Sequence, residues 1–382
     1  MVPDRVACFA ITTPGIEPVM EGENRALGID VTGVEPGGVS FSAAPRQLAD
    51  ALVRLRTANR VTVRIAAFRA RSFVELERHV ADVDWMPVLA GAGAVHFRVT
   101  AKKSRLYHQD AIAERLERAV HAVDRNVQLI RAPGDAEALE RDVTTIPAVQ
   151  RLVVRVFRDQ VTISADASGA LMHRRGWRQD VAKAPLRETL AAAAILASGW
   201  TAGEALCDPF CGSGTIAIEA ALVARGIAPG RGRRFAAERW SAMAGKFKAA
   251  RDAALAAERA GTAPIEASDR DAGAVEATLA NAGRAGVAEM LTVRRATISE
   301  LTPAAGTGWI ITNPPYGVRV GERSALRNLY AAFGTVVRER RPGWRMAMLS
   351  GDRVLAGQTG FRFEDLLHTT NGGIPVRIIR ST

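Results

Sequence analysis

The fold of this chain is decided by the stretch Asp208-Pro209-Phe210-Cys211-Gly212-Ser213-Gly214-Thr215, which follows an apolar strand at 205–207 and precedes an apolar helix at 216–223. Gly212 and Gly214 permit a close backbone approach to a ligand because they carry no Cβ and adopt positive φ at little cost. The stretch lacks both the full G-x-G-x-x-G pattern of nicotinamide and flavin proteins and a P-loop lysine. It therefore predicts a strand–turn–helix unit whose turn faces a ligand.

A second stretch, Asn313-Pro314-Pro315-Tyr316, follows the apolar strand Trp309-Ile310-Ile311-Thr312. In this order the two stretches resemble the cofactor and catalytic motifs of class I S-adenosylmethionine-dependent methyltransferases, and the Asn-Pro-Pro-Tyr form implies methylation of a nitrogen. The side-chain oxygen of Asn313 and the carbonyl of Pro314 can accept both protons of an exocyclic amine, and the prolines stiffen the loop. Tyr316 offers a ring on which a flipped base can stack. We therefore expect Asn313, Pro314, Pro315 and Tyr316 to form the catalytic loop.

The same resemblance implies S-adenosylmethionine as cofactor and no metal. Asp269 ends the next predicted strand, where a carboxylate can accept the ribose hydroxyl protons. Thr297 stands where this class of enzyme usually carries a carboxylate near the adenine, and a threonine hydroxyl could partly substitute for it. The element Ala184-Pro185-Leu186-Arg187-Glu188 resembles one that packs along the cofactor in this class of enzyme. Two roles are open for Arg187 and Glu188: they contact the cofactor directly, or they only brace the glycine turn. The cofactor-binding residues expected on these grounds are Arg187, Glu188, Asp208, Pro209, Phe210, Cys211, Gly212, Ser213, Gly214, Thr215, Asp269, Arg270, Thr297 and Asn313.

The composition limits the classes of protein to which the chain can belong. With 382 residues, about half of them apolar, the chain can form two or more domains. A net charge of +11 favours an anionic partner, although a GC-rich genome also enriches arginine. Three cysteines are too few for a disulfide framework, and we find neither a membrane span nor a signal peptide. The expected location is the cytoplasm.

Short strands and amphipathic helices that do not strictly alternate make the first half an α+β region. Its opening, Phe9–Glu17, resembles the ferredoxin-like segment that precedes THUMP domains, and the stretches 55–61, 68–70, 84–85 and 102–108 resemble a THUMP domain. THUMP domains belong to enzymes that modify structured RNA. The RNA-binding residues expected here are Arg56, Arg60, Lys102, Lys103 and Arg105.

Strands and helices alternate in the second half, which predicts an α/β, Rossmann-like domain with a mostly parallel seven-stranded sheet and an antiparallel hairpin around Asn371-Gly372-Gly373. The segment 226–261 is expected to be a helical insertion beside the cofactor site. The predicted domains are a ferredoxin-like segment at 1–50, a THUMP domain at 51–168, a linker at 169–185 and a methyltransferase domain at 186–382.

The stretches 171–177 and 371–373 extend the resemblance over nearly the whole chain, to the RlmL/YpsC-type RNA guanine-N2 methyltransferases. This implies N2-methylguanosine in structured RNA, in 23S ribosomal RNA for the nearest members and in tRNA for others. Within enzymes, DNA adenine-N6 and protein glutamine-N5 methylation remain alternatives. From a different class, the chain could be a non-catalytic RNA-binding ribosome-assembly factor.

Overall fold

The structure is a computed structural model that describes residues 4–180, 186–261, 263–316 and 323–382. It divides into two compact units. The first comprises the residues up to Ile11 together with Glu23–Met172 and Gly230–Ala253. The second comprises Thr12–Gly22, His173–Pro229 and Ala254–Thr382.

The strands and helices are numbered in chain order. The strands are β1 (Val6–Ile11), β2 (Asp30–Glu35), β3 (Gly38–Ala43), β4 (Arg60–Arg69), β5 (Ala94–Lys102), β6 (Gln128–Ile130), β7 (Val149–Phe157), β8 (Gln160–Asp166), β9 (Ala205–Asp208), β10 (Ile265–Asp269), β11 (Leu291–Arg295), β12 (Gly308–Thr312), β13 (Arg345–Ser350), β14 (Phe363–Asn371) and β15 (Ile374–Ser381). The helices are α1 (Glu17–Ala26), α2 (Pro45–Arg54), α3 (Phe73–Ala81), α4 (Met86–Leu89), α5 (Gln109–Val123), α6 (Pro133–Leu139), α7 (Glu188–Ser198), α8 (Thr215–Ala224), α9 (Lys246–Ala256), α10 (Ala272–Ala285), α11 (Arg323–Arg340) and α12 (Arg353–Gln358).

An eight-stranded sheet in the order β2-β3-β1-β4-β8-β7-β5-β6 forms the first unit. Strand β5 pairs in parallel with β6 and β7, and the other pairs are antiparallel. The pairing of β1 with β4 joins the predicted ferredoxin-like segment and the predicted THUMP domain in one sheet. The two segments therefore share a single compact unit.

Local sequence accounts for several of these elements. Ser72 is the N-cap of α3, because its hydroxyl accepts the amide N–H of Glu75. The Glu75 carboxylate accepts the amide N–H of Arg71, one residue before the N-cap, so the pair is not a reciprocal capping box. Between β7 and β8, Arg158 and Asp159 both have positive φ (52° and 64°), as a tight hairpin turn requires. The dipeptide Arg158-Asp159 therefore forms the turn of a β7–β8 hairpin.

A seven-stranded sheet in the order β11-β10-β9-β12-β13-β15-β14 forms the second unit. The first five strands are parallel, and β15 and β14 add an antiparallel hairpin at one edge. The parallel strands read as apolar runs because both faces are covered, as in β12, where every residue is buried. The chain leaves β9 in one direction for β10 and β11, and in the other for β12 and β13. The junction of β9 and β12 is therefore the switch point at which such sheets bind ligands.

The segment Gly230–Ala253 packs with the first unit, although the predicted methyltransferase domain at 186–382 includes it. The amide of Gly230 donates to the Val53 carbonyl at 2.9 Å, and Trp240 Nε1 donates to Gln150 Oε1 at 3.0 Å. Neither contact is encoded near the segment, so alternation of helix and strand alone assigned it to the wrong unit. Most of the predicted linker 169–185 is described, but residues 181–185, which include Ala184 and Pro185, lie outside the described residues.

Candidate active site at the carboxyl edge of the parallel sheet

The two sequence motifs lie side by side in the second unit. Asp208 is the last residue of β9, and Asn313 directly follows β12, which pairs in parallel with β9. Thr312, the last residue of β12, donates its hydroxyl to Asp208 Oδ1 at 2.5 Å. Because both strands end at the same edge, the glycine turn and the Asn-Pro-Pro-Tyr loop border one site.

The glycine turn has a conformation that only glycine adopts without strain. Gly212 and Gly214 have φ values of 53° and 82°. A Cβ at Gly214 would also lie 2.6 Å from Cγ2 of Thr278. The turn therefore packs against Thr278, and neither glycine carries a side chain that would keep a ligand away from the backbone.

Helix α10 holds the backbone of this turn through two buried polar side chains. The Thr278 hydroxyl donates to the Gly212 carbonyl at 2.9 Å, and Asn281 Nδ2 donates to the Ser213 carbonyl at 3.1 Å. The amide of Cys211 donates to the Ser268 carbonyl at 3.0 Å. Neither Thr278 nor Asn281 belongs to a motif predicted from the sequence. Two polar residues spaced i, i+3 within the apolar face of a helix were the available signal.

Asp208 is 1 % exposed, and burial raises the pKa of its carboxyl to about 7. The hydrogen bonds from the Thr312 hydroxyl and from the amide of Phe210 act in the opposite direction and lower it. This raised pKa belongs to a carboxyl bonded to Thr312, the residue that precedes the Asn-Pro-Pro-Tyr loop.

Asp269 ends β10, the neighbouring parallel strand, as predicted. Its Oδ2 accepts the amide N–H of Gly212 at 3.1 Å, and its Oδ1 accepts that of Asp271 at 3.0 Å. Each carboxylate oxygen retains capacity for a further donor. Arg270 is exposed, and its carbonyl accepts Nε–H of Arg295 at 3.1 Å.

The Thr297 hydroxyl is already engaged within its own turn. It donates to Glu300 Oε2 at 2.8 Å, and the Thr297 amide donates to the same oxygen at 2.8 Å. These bonds lower the pKa of the Glu300 carboxyl. A carboxylate thus does reach the end of β11, but it comes from Glu300, three residues beyond the expected position.

Glu188 is buried and paired with Arg178. This residue is 1 % exposed, and its Oε2 accepts Arg178 Nη2–H at 3.0 Å. Burial raises the pKa of the Glu188 carboxyl to about 7. Arg187, in contrast, is exposed at the start of α7. Cofactor binding by Arg187 and Glu188 stays a prediction.

Asn313 presents an unsatisfied acceptor. Its Oδ1 is buried and has no hydrogen-bond partner among the described residues. A buried acceptor without a donor costs about 1–3 kcal/mol. Because Asn313 lies at the carboxyl edge of the sheet, where such sheets bind ligands, its oxygen is suited to accept an N–H group of a ligand.

The rest of the loop is held by neighbours that the motif did not reveal. Tyr330 of α11 donates its hydroxyl to the Pro315 carbonyl at 3.3 Å. Asn371 donates Nδ2–H to the Tyr316 hydroxyl at 2.8 Å. The Tyr316 ring is half-buried, and burial raises the pKa of its phenol.

In the first unit, the expected RNA-binding residues divide into two groups. Lys102, Lys103 and Arg105 are exposed. Arg60 is 8 % exposed and forms ion pairs with Glu140 and Asp166, so the expectation that it binds RNA is wrong. A guanidinium that neutralises two buried carboxylates has a structural role. Arg56 is half-buried, and its backbone amide donates to Glu23 Oε1 at 2.7 Å.

Among the described residues, no group of three or more His, Cys, Asp or Glu side chains is arranged to hold a metal ion. In the same part of the chain, no helix has the length and apolar character needed to cross a bilayer.

The profile of the UPF0020 family, described as an RMKL-like methyltransferase domain, matches residues 175–372. The chain belongs to this family. The matched range contains both motifs and the strands that carry them. A second profile, that of the RlmL ferredoxin-like domain, matches residues 7–62 and confirms the ferredoxin-like start of the UPF0020 chain. The THUMP assignment of 51–168 stays a prediction.

Several proteins are similar to this UPF0020 member. The ribosomal RNA large subunit methyltransferase K/L of Syntrophotalea carbinolica is 34 % identical over 97 % of this chain and 53 % of that protein, so the chain spans about half its length. YpsC of Bacillus subtilis, provisionally named an RNA methyltransferase, is 33 % identical over 90 % of this chain and 87 % of that protein.

Solved structures show the same fold. The crystal structure of SMU.472, provisionally named a methyltransferase and complexed with SAH, has a TM-score of 0.86 and 26 % identity, and covers 100 % of this chain and 98 % of that chain. A Listeria monocytogenes protein, named a predicted N6-adenine-specific DNA methylase, has a TM-score of 0.84 and 28 % identity over 99 % and 96 % of the two chains. The class I methyltransferase fold expected from the motifs is confirmed.

Proposed function

We propose that this chain is an S-adenosylmethionine-dependent enzyme that methylates N2 of a guanine in RNA, with 23S ribosomal RNA as substrate. The observation that carries the proposal is the buried, unpartnered Oδ1 of Asn313 beside the glycine turn. An exocyclic amine brought to this oxygen satisfies it and at the same time faces the cofactor turn.

The carboxyl edge of the second unit fits S-adenosylmethionine. The turn at 208–214 has no side chain at Gly212 or Gly214, and a Cβ at Gly214 would collide with Thr278. This turn would hold the methionine part, and Asp269 would accept the ribose hydroxyl protons with its remaining lone pairs. When bound, S-adenosylmethionine supplies a methyl group on an activated sulfonium. The task left to the protein is mainly to position the acceptor.

Asn313 and Pro314 act on the acceptor nitrogen. The lone pair of an exocyclic amine is delocalised into the base, which makes the nitrogen a poor nucleophile. When Asn313 Oδ1 and the Pro314 carbonyl accept the two amine protons, they favour a pyramidal nitrogen with its lone pair directed at the methyl group. Neither oxygen retains a proton at neutral pH, so the proton released after transfer passes to water.

An exposed basic face on the sheet of the first unit supports an RNA substrate. Strand register aligns residues of β4, β8, β7 and β5 in three rows on one face of the sheet. The first row contains Arg64 and Arg98, the second contains Arg155 and Thr100, and the third contains Arg69 and Lys102. The five cations of this basic face are exposed, and none has an ion pair to another described residue: Arg64, Arg69, Arg98, Lys102 and Arg155.

Phe157 lies in the third row of the basic face, with the guanidinium groups of Arg155 and Arg158 each 5.3 Å from its ring centroid. Cations around a half-buried aromatic ring match a nucleic acid, whose phosphates and bases need both kinds of contact. The basic face therefore replaces Arg56 and Arg60 as the proposed RNA-binding surface, and it keeps Lys102.

The basic face is tested by the salt dependence of RNA binding. Changing Arg64, Arg98 and Arg155 together to Gln should reduce the slope of log K against log salt by about 2, at roughly 0.7 to 0.9 per lost phosphate contact. The matched control changes three exposed arginines elsewhere in the unit, Arg118, Arg125 and Arg141, to Gln. Equal slopes for the two triple variants would reject this surface.

The reaction is tested by transfer of labelled methyl to total RNA from cells that lack the enzyme, followed by nucleoside mass spectrometry. Labelled N2-methylguanosine in RNA of large-subunit size is the expected result, and label in tRNA-sized RNA indicates the tRNA alternative. Label in N6-methyladenine of added DNA would instead match the name of the Listeria protein. Cofactor binding without transfer to any nucleic acid supports the non-catalytic alternative. The proposed substrate also implies a cytoplasmic location.

A further inference from the structure

Asn371 makes a contact that the catalytic motif does not require. It is the last residue of β14, and its Nδ2 donates to the Tyr316 hydroxyl at 2.8 Å. Strand β14 and its partner β15 form the antiparallel hairpin at the sheet edge. The contact therefore ties the catalytic loop to an element that ends 55 residues later in the chain.

The position of Asn371 is fixed by the hairpin. Asn371 pairs with Ile374 across the turn, and Gly372 and Gly373 have φ values of 58° and 86°. A Cβ at either glycine would meet no atom within 4 Å, so these glycines serve the backbone conformation of the turn and not its packing. A tight two-residue turn leaves Asn371 little freedom to move away from Tyr316.

Gly351 fixes the same ring from another side. It follows the last residue of β13, and a Cβ there would lie 2.6 Å from Cδ2 and 3.1 Å from Cγ of Tyr316. The ring of Tyr316 therefore lies directly against backbone. The hydrogen bond to Asn371 and the close contact with Gly351 together restrict rotation of the ring and its movement toward β13.

We infer that Asn371 and Gly351 are positioning residues that set the plane of Tyr316 as the stacking platform for the target base. The inference rests on the proposed function, because it assigns the exposed part of the ring to a flipped base. It adds that the hairpin turn at 371–374 belongs to the substrate site. Removal of the hydrogen bond leaves the tyrosine in place but releases its orientation.

A double-mutant cycle tests this coupling. Asn371→Ala and Tyr316→Phe each remove the same hydrogen bond, so each should lower kcat/KM for RNA about tenfold, and the double variant should lose no more than either single variant. Asn371→Asp should recover most of the activity, since the Tyr316 hydroxyl can donate to the new carboxylate. Gly351→Ala should lose more than Asn371→Ala because its Cβ displaces the ring.

Thr370→Ala is the matched control, because Thr370 is exposed on the same strand of the same hairpin. We expect it to retain wild-type kcat/KM. All variants should bind SAH with a Kd within about twofold of the wild type, which separates a misoriented platform from a damaged cofactor site.

A second measurement reports the environment of the Tyr316 ring and does not require methyl transfer. The chain has three tyrosines, so 3-fluorotyrosine labelling gives three ¹⁹F resonances that Tyr→Phe variants assign. Asn371→Ala should shift the Tyr316 resonance, and Thr370→Ala should not. Additive losses in the cycle, full activity of Asn371→Ala or an unmoved Tyr316 resonance would overturn the inference. Wild-type protein that methylates no RNA, with the resonance shift still present, would reject the proposed function and leave the contact itself established.

Discussion

The hydrogen bond from Thr312 to Asp208 joins the two halves of the active site, and the change Thr312→Val removes it with little change of shape. Thr312 is fully buried, and Asp208 is 1 % exposed. Below about pH 5 the Asp208 carboxyl, whose pKa is about 7, is neutral, and a lost neutral hydrogen bond costs about 1 kcal/mol. Above pH 8 it is ionised, and the lost bond costs about 1.5–3 kcal/mol. The destabilisation by Thr312→Val should therefore grow with pH.

The direction in which folding stability changes with pH follows from the raised pKa of Asp208. Because the folded-state pKa lies above the unfolded value near 3.8, this group favours folding most at low pH, and that contribution declines as pH rises to about 7. The Thr312 bond lowers the pKa, so its loss raises it further and extends the decline to higher pH. Asp208→Asn, which cannot ionise, should lack this decline.

Urea unfolding of wild type, Thr312→Val and Thr312→Ser from pH 5 to pH 9 measures the effect. Thr312→Ser keeps the hydroxyl and loses a methyl group, so its destabilisation should not vary with pH. A Thr312→Val destabilisation that stays constant or shrinks as pH rises would show that the hydroxyl does not bond the ionised carboxylate.

Three further predictions concern separate parts of the molecule. Asn313→Ala should lower kcat at least about a hundredfold while SAH and RNA binding persist, because it removes an acceptor for the amine protons. The initial rate of methyl transfer to RNA at saturating substrate measures kcat. Gly214→Ala should abolish the rise in Tm caused by millimolar SAH, since φ is 82° and the new Cβ lies 2.6 Å from Thr278; calorimetry with and without SAH checks it. Arg60→Ala should destabilise the chain by about 3–5 kcal/mol, because the buried Asp166 loses its ion-pair partner and Glu140 is left with Arg151, and should leave the salt slope of RNA binding unchanged.

Much of the fold was readable because the signals are local. The strands at 265–269 and 291–295 and the hairpins at 158–159 and 372–373 follow from apolar runs and turn residues, and the structure has them there. The start of β14 at Phe363 has no local signal in the sequence. Its first residues are mixed in polarity and are held by pairing with β15.

Charge was the least informative part of the sequence. Arg60 was expected to bind RNA and yet is buried against Glu140 and Asp166, which are distant in sequence and close in space. Arg155 was not among the expected RNA-binding residues and is exposed on the basic face. Whether an arginine meets solvent depends on strand register, and a one-residue change of register reverses the face.

By itself, the sequence determined the class of fold and the two reactive loops, because glycine and proline restrict the backbone within a few residues wherever they occur. The tertiary structure decided which side chains hold those loops. Thr278, Asn281, Tyr330, Gly351 and Asn371 reach the site through parallel strand order and hairpin pairing. Contacts between residues far apart in the chain depend on the assembled sheet, and no local pattern encodes them.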